Sequence, residues 1–222
     1  AQYETEDGTL INGYVPVAYV TPFNGAPPTM QQVTAENSTD GMDMLWRSIY
    51  LSLGFGVIAI LVDSHGAELK SLKKISTGTE YMWCADEKYW ARTSPVLFPF
   101  VGSLKNKAYK LGGKIYPMNQ HGFARDMDFT LVSSSETEVR YRLESSEDTL
   151  AKYPYPFVLE IAYRLHGSSL DVVWEVMNPS ESDICFQIGA HPAFFYPDYD
   201  AQTAERGFLS FDRSEGLECI RI

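Results

Sequence analysis

Two runs of alternating residues, Val158 to Leu165 and Leu170 to Met177, stand on either side of the turn His166-Gly167-Ser168-Ser169. Successive side chains of an extended chain point to opposite faces, so a period of two marks strands with one face toward a core. Two such runs across a glycine-containing turn make a hairpin, and an isolated hairpin is at best marginally stable in water. Further strands are therefore required. Glu138 to Leu143 alternates charged with apolar or aromatic residues, Phe55 to Val62 is an apolar strand candidate, and Ile184 to Ile188 follows the turn Asn178-Pro179-Ser180. No amphipathic helix longer than two turns is evident, so an all-β sandwich is expected rather than an α/β fold.

The chain changes character near Leu51. Residues 1–50 are punctuated by Asn12-Gly13, Asn24-Gly25, Pro27-Pro28 and Asp40-Gly41, with one strand candidate from Val15 to Val20. They form an unassigned N-terminal segment, and residues 51–222 are read as one β-sandwich domain. Leu217 to Ile222 reads as a strand with no turn or cap after it, which would expose a sheet edge. The domain is accordingly expected to be truncated at its C-terminus. With 45% hydrophobic and 14% aromatic residues, a substantial core is within reach. A net charge of −11 argues against nucleic acid or an anionic membrane as the main partner. The run Leu53 to Val62 is too short to span a bilayer. Cys84, Cys185 and Cys219 show no CxxC spacing, and buried free thiols are expected rather than a disulfide framework or zinc site.

Of the four histidines, His65 and His166 sit in turn-like sequence. The other two, in His121-Gly122-Phe123-Ala124-Arg125-Asp126 and in Gly189-Ala190-His191-Pro192-Ala193-Phe194, stand where strand-like segments meet Gly or Pro. Such imidazoles are either satisfied structural groups or the polar lining of a pocket. No HxxxH or adjacent carboxylate cluster supports a metal, and none is expected. Trp83, Tyr89, Trp90, Phe98 and the Phe194-Phe195-Tyr196 run crowd these segments, and aromatic planes suit either core packing or the apolar C–H face of a sugar.

From about Leu51 onward the chain resembles the aldose 1-epimerase (galactose mutarotase-like) superfamily, in particular its LacX-like bacterial branch. The resemblance is carried by Gly66-Ala67-Glu68-Leu69-Lys70-Ser71-Leu72, Glu80-Tyr81-Met82-Trp83, and Tyr89-Trp90-Ala91-Arg92-Thr93-Ser94-Pro95-Val96-Leu97-Phe98-Pro99 with Val101-Gly102. The histidine blocks at 121–126 and 188–194 complete it in matching order and spacing. It implies a β-supersandwich, a small-molecule aldohexose as partner, a cytoplasmic location, and interconversion of α and β anomers without a cofactor.

By that resemblance His191 protonates the ring oxygen and His121 hydrogen-bonds the ring or a neighbouring hydroxyl. Arg125 and Arg92 are expected to contact sugar hydroxyls, and Phe123, Asp126 and Phe194 belong to the same substrate-binding set. The sequence departs from the family in two places. The family's general base is a glutamate well beyond the His-Pro block; Glu205, Glu215 and Glu218 do not lie in a matching motif, so the base is expected to be missing along with the last strands. Ser103 stands where relatives often have arginine. A hexose 6-phosphate epimerase and a non-catalytic carbohydrate-binding module are the alternative readings.

Overall fold

The computed structural model describes residues 58–195 and Gln202, together with the backbone of three short strands, β1 (Gln2–Glu4), β2 (Leu10–Asn12) and β3 (Ser48–Ser52). Next come β4 (Ile58–Asp63), β5 (Glu68–Lys74), β6 (Thr79–Glu80) and β7 (Val96–Leu97). A small hairpin, β8 (Ala108–Leu111) and β9 (Lys114–Pro117), precedes β10 (Thr130–Ser134) and β11 (Glu138–Glu144). After the four-residue helix α1 (Glu147–Leu150) the chain forms β12 (Val158–His166), β13 (Ser169–Met177) and β14 (Gly189–Ala190).

One antiparallel sheet runs β10-β11-β12-β13 and a second runs β3-β4-β5-β6, while β7 pairs with β14. In the first sheet Leu159, Ile161, Tyr163 and Leu165 lie opposite Val176, Trp174, Val172 and Leu170 on one side. On the other side Leu159, Ile161 and Tyr163 face Leu143, Tyr141 and Val139. The residues that alternate in sequence thus share one face, and those of β11 and β12 are buried. They pack with Ile60 and Val62 of β4 and with Phe98 and Phe157 in one continuous core. The opposite face is not simply wet. Arg140 donates to Glu160 (2.7 Å) and Glu175 (2.5 Å), and Glu160 is only 5% exposed. A buried carboxylate needs such partners to offset its desolvation.

The longest helix among the described residues is α1, whose N-terminus is closed by a capping box between Ser146 and Thr149. Two details differ from the sequence reading. Ile184 to Ile188 is not a strand; its Gln187 N–H instead donates to Pro99 O (2.8 Å), and regular pairing begins only at Gly189. The Phe55 to Val62 candidate is strand β4 from Ile58 onward, and its residues 55–57 lie outside the described residues. Cys84 and Cys185 are free but exposed rather than buried, because both lie in connecting segments. The Val15 to Val20 and Leu217 to Ile222 candidates and Cys219 lie outside the described residues.

Candidate functional site

The two histidine blocks meet because both hydrogen-bond to the same stretch of chain, residues 95–102. On that stretch Val96 and Leu97 pair with Ala190 and Gly189, and His191 N–H donates to Pro95 O (3.2 Å). Further along, Phe98 O accepts from Phe123 N (3.0 Å) and Ala124 N (3.2 Å), and His121 N–H donates to Gly102 O (2.9 Å). The His121 and His191 rings consequently lie with centroids 6.2 Å apart at 57°. Gly122 makes this approach possible. It has φ +74°, and a Cβ there would sit 2.1 Å from Phe98 O.

His121 is held at both ends of its own residue. Its φ is +66°, and its Nδ1 accepts a hydrogen bond from Gly102 N–H (2.9 Å). An imidazole nitrogen that accepts from an amide carries no proton, so the neutral ring carries its hydrogen on Nε2 and offers a donor there. Burial, then the charge of Arg125, then His191, lower the pKa of His121 below its ordinary 6.5. The neutral form therefore prevails at neutral pH. His191 is solvent-exposed, and its ring lies 5.0 Å from that of Trp90, tilted by 53°. Trp90 is steadied through its carbonyl, which accepts from Trp83 Nε1 (2.9 Å).

Two arginines complete the cluster. Arg125 donates through Nη2 to Gln120 O (2.9 Å), while its buried Nε has no hydrogen-bond partner among the described residues. Burial and the neighbouring Arg92 lower the Arg125 pKa, and Asp126 opposes them. Arg92 bonds Asp126 Oδ1 through Nη2 and reaches Arg125 O through Nη1 (3.4 Å). Beside them opens a depression of 560 Å³ whose walls include Ser103, Lys107, Asn119, Gln120, Arg125 and Asp126. Neither imidazole is among its lining residues.

Of the residues singled out in sequence, His121, His191, Arg125, Arg92 and Asp126 form this linked cluster. Phe123 does not join it. Its ring is 8% exposed and packs against Phe98, Tyr153 and Phe157 in the core, because the left-handed turn at residues 121 and 122 separates its direction from that of His121. Phe194 is 56% exposed and pairs through its backbone with Met82. The Gly102 amide, which sets the His121 tautomer, has no side-chain signal by which sequence could find it. Trp90 lies within the Tyr89-Trp90-Ala91-Arg92 block, but its nearness to His191 comes from tertiary pairing. Elsewhere His65 bonds Asp128 (2.7 Å), and His166, the last residue of β12, lies 3.3 Å from Asp171; both histidines are exposed. Among the described residues no three His, Cys, Asp or Glu side chains gather as a metal site, and no helix is long and apolar enough to cross a membrane.

The sequence profile of aldose 1-epimerase matches residues 51–221. Protein LacX of Lactococcus lactis subsp. lactis, in its plasmid form, is 35% identical over 156 residues, which covers 68% of this chain and 52% of that protein. The crystal structure of a galactose mutarotase related enzyme from Lactobacillus acidophilus superposes with a TM-score of 0.67 at 35% identity, covering 70% of this chain and 51% of that one. A galactose mutarotase-like protein from Lactobacillus casei gives 0.63 at 36% identity, covering 66% and 49%. The chain spans about half the length of these relatives. With its antiparallel sheets, its LacX-like relatives and its galactose mutarotase-like neighbours, this chain belongs to the aldose 1-epimerase family.

Proposed function

We propose that this chain binds a free aldohexose at the His121–His191 cluster and contributes the acid side of anomer interconversion, acting in the cytoplasm. The observation that carries this reading is the pair of imidazoles, 6.2 Å apart, one of them fixed as an Nε2–H donor. Ring opening requires loss of the proton on the C1 hydroxyl and gain of a proton at the ring oxygen. His191 supplies the latter, being accessible and of a side-chain type that exchanges protons near neutrality. The Nε2–H of His121 donates to an adjacent sugar oxygen and stabilises charge that develops there. Arg125 and Arg92 bind hydroxyls, with Asp126 holding Arg92 in place. After rotation about C1–C2, the same groups working in reverse close the ring on the other face of the aldehyde. The general base is a carboxylate by family resemblance. Glu205, Glu215 and Glu218, the glutamates that follow His191, lie outside the described residues. Residues 51–222 carry the sugar site in this reading, and residues 1–50 are an unassigned segment apart from Ser48 to Tyr50, which pair with β4 as part of β3.

Polarimetry of freshly dissolved D-galactose and D-glucose tests this. Replacing His191 by alanine is expected to lower the catalysed rate by about 10² to 10⁴-fold, the usual loss for a positioned general acid. Equal rates for His191→Ala and wild type would remove His191 from the mechanism. Sugar binding without turnover would make the chain a binding module.

A hexose 6-phosphate is the second reading, favoured by Lys107 and Arg125 on the wall of the adjoining depression. Inhibition of binding by glucose 6-phosphate at concentrations where free glucose has no effect would select it.

A further inference from the structure

Glu68, the first residue of β5, is 3% exposed and lies outside the cluster just described. Its Oε1 accepts from the backbone N–H groups of both Thr93 (2.7 Å) and Ser94 (2.8 Å). Its Oε2 accepts from Lys70 Nζ (2.6 Å). Ser94 is tied to the same strand a second time, through its Oγ to Leu69 O (2.9 Å). The clasped peptides sit between site residues. Arg92 immediately precedes them, Thr93 O accepts from Ala193 N (2.9 Å), and Pro95 O, two residues on, accepts from His191 N (3.2 Å).

We propose that Glu68 is a positioning residue for the sugar site: its buried carboxylate fixes the Thr93–Ser94 backbone, and through it both the Arg92 guanidinium and the backbone of His191. This rests on the sugar-site reading above. Two amide donors converging on one carboxylate oxygen make charge-assisted hydrogen bonds, which are stronger than neutral ones and directional. A loop held only by packing would not keep two side chains from distant blocks in a fixed relation, and small misplacements at a site are costly.

The test compares three variants of the full chain. Glu68→Gln keeps a carbonyl oxygen for both amides, with Lys70, 29% exposed, free to swing away from the new NH₂. Glu68→Asp keeps the charge but falls short by one methylene, and Glu68→Ala removes the acceptor. D-galactose affinity, read by tryptophan fluorescence, is expected to fall more than about tenfold in Glu68→Ala and Glu68→Asp. In Glu68→Gln it is expected to stay within about threefold of wild type, a rescue that follows from acceptor geometry. Amide hydrogen exchange at Thr93 and Ser94 should accelerate in Glu68→Asp and Glu68→Ala and not in Glu68→Gln. If Glu68→Ala does not fold, the aspartate and glutamine variants carry the comparison. Wild-type affinity in a folded Glu68→Asp, or equal losses in Glu68→Asp and Glu68→Gln, overturns the proposal. If the wild type binds neither D-galactose nor D-glucose, the sugar-site reading fails instead. The exchange data then decide whether Glu68 holds the loop, and unchanged exchange in Glu68→Asp refutes it.

Discussion

His121 joins conformation to protonation in one residue. Its backbone N–H and its Nδ1 both bond Gly102, so a proton placed on Nδ1 would set an N–H against an N–H. Burial and Arg125 add to this in lowering its pKa below 6.5. Between the lowered folded value and the ordinary one, the unfolded chain binds more protons at this site than the folded chain does. Stability therefore rises with pH there: the His121 contribution is fully present above about pH 6.5 and is lost as pH falls through the folded value. Thermal melting between about pH 5 and 8 should show a shallower pH slope for His121→Asn than for wild type, asparagine being chosen because it tolerates φ > 0. Parallel slopes would mean that His121 is not the group responsible. The sequence marks His121 by its setting between glycine-bearing and aromatic residues, but nothing in it reveals that Phe123, two positions on, turns into the core. Left-handed φ at both 121 and 122 redirects the chain, and that is a tertiary fact.

At the scale of elements, the β12–β13 hairpin was the most legible part of the chain because its period of two survives intact in the ladder. Leu159, Ile161, Tyr163 and Leu165 face Val176, Trp174, Val172 and Leu170 without a slip. Ile161 lies between Tyr141 and Trp174 and is fully buried, whereas Val172 on the same face is 41% exposed. Ile161→Ala should cost about 2–5 kcal/mol in urea unfolding, through lost burial plus the cavity left behind. Val172→Ala should cost less than about 1 kcal/mol. Similar costs at the two positions would mean that the hairpin face is not graded from core to edge as the burial indicates. Other elements left weaker traces. The β8–β9 hairpin has strands of four residues around Gly112-Gly113, too short for alternation to register, though the Gly-Gly pair itself is a turn signal. Ile184 to Ile188 carries apolar residues at strand spacing, yet its hydrogen-bond partners are the irregular segment at 99–101 and the Tyr153 hydroxyl, so local pattern misreads it.

Across the whole molecule, the site and the core share an anchor. Phe98 is fully buried among Phe123, Tyr153 and Phe157, and its carbonyl receives the chain that follows His121, while the residues just before it pair with the chain leading to His191. Both sheets contribute to that core, with Ile60 and Val62 from one and Leu159 and Ile161 from the other. Under the proposed function, a sugar held between the two histidine segments would bind only when the core is assembled, and binding should stabilise the fold as a unit. A ligand at about one hundred times its Kd adds about 2.7 kcal/mol to such a fold. For a chain of this size that is a rise in Tm of about 5–10 °C, since each kcal/mol moves the midpoint by about 2–4 °C. D-galactose or D-glucose should produce this shift in wild type and a much smaller one in His191→Ala at the same concentration. An equal shift in both proteins would place the bound sugar away from His191. A shift confined to one of two separable transitions would break the link between site and core, because a segment that melts independently cannot be held by Phe98.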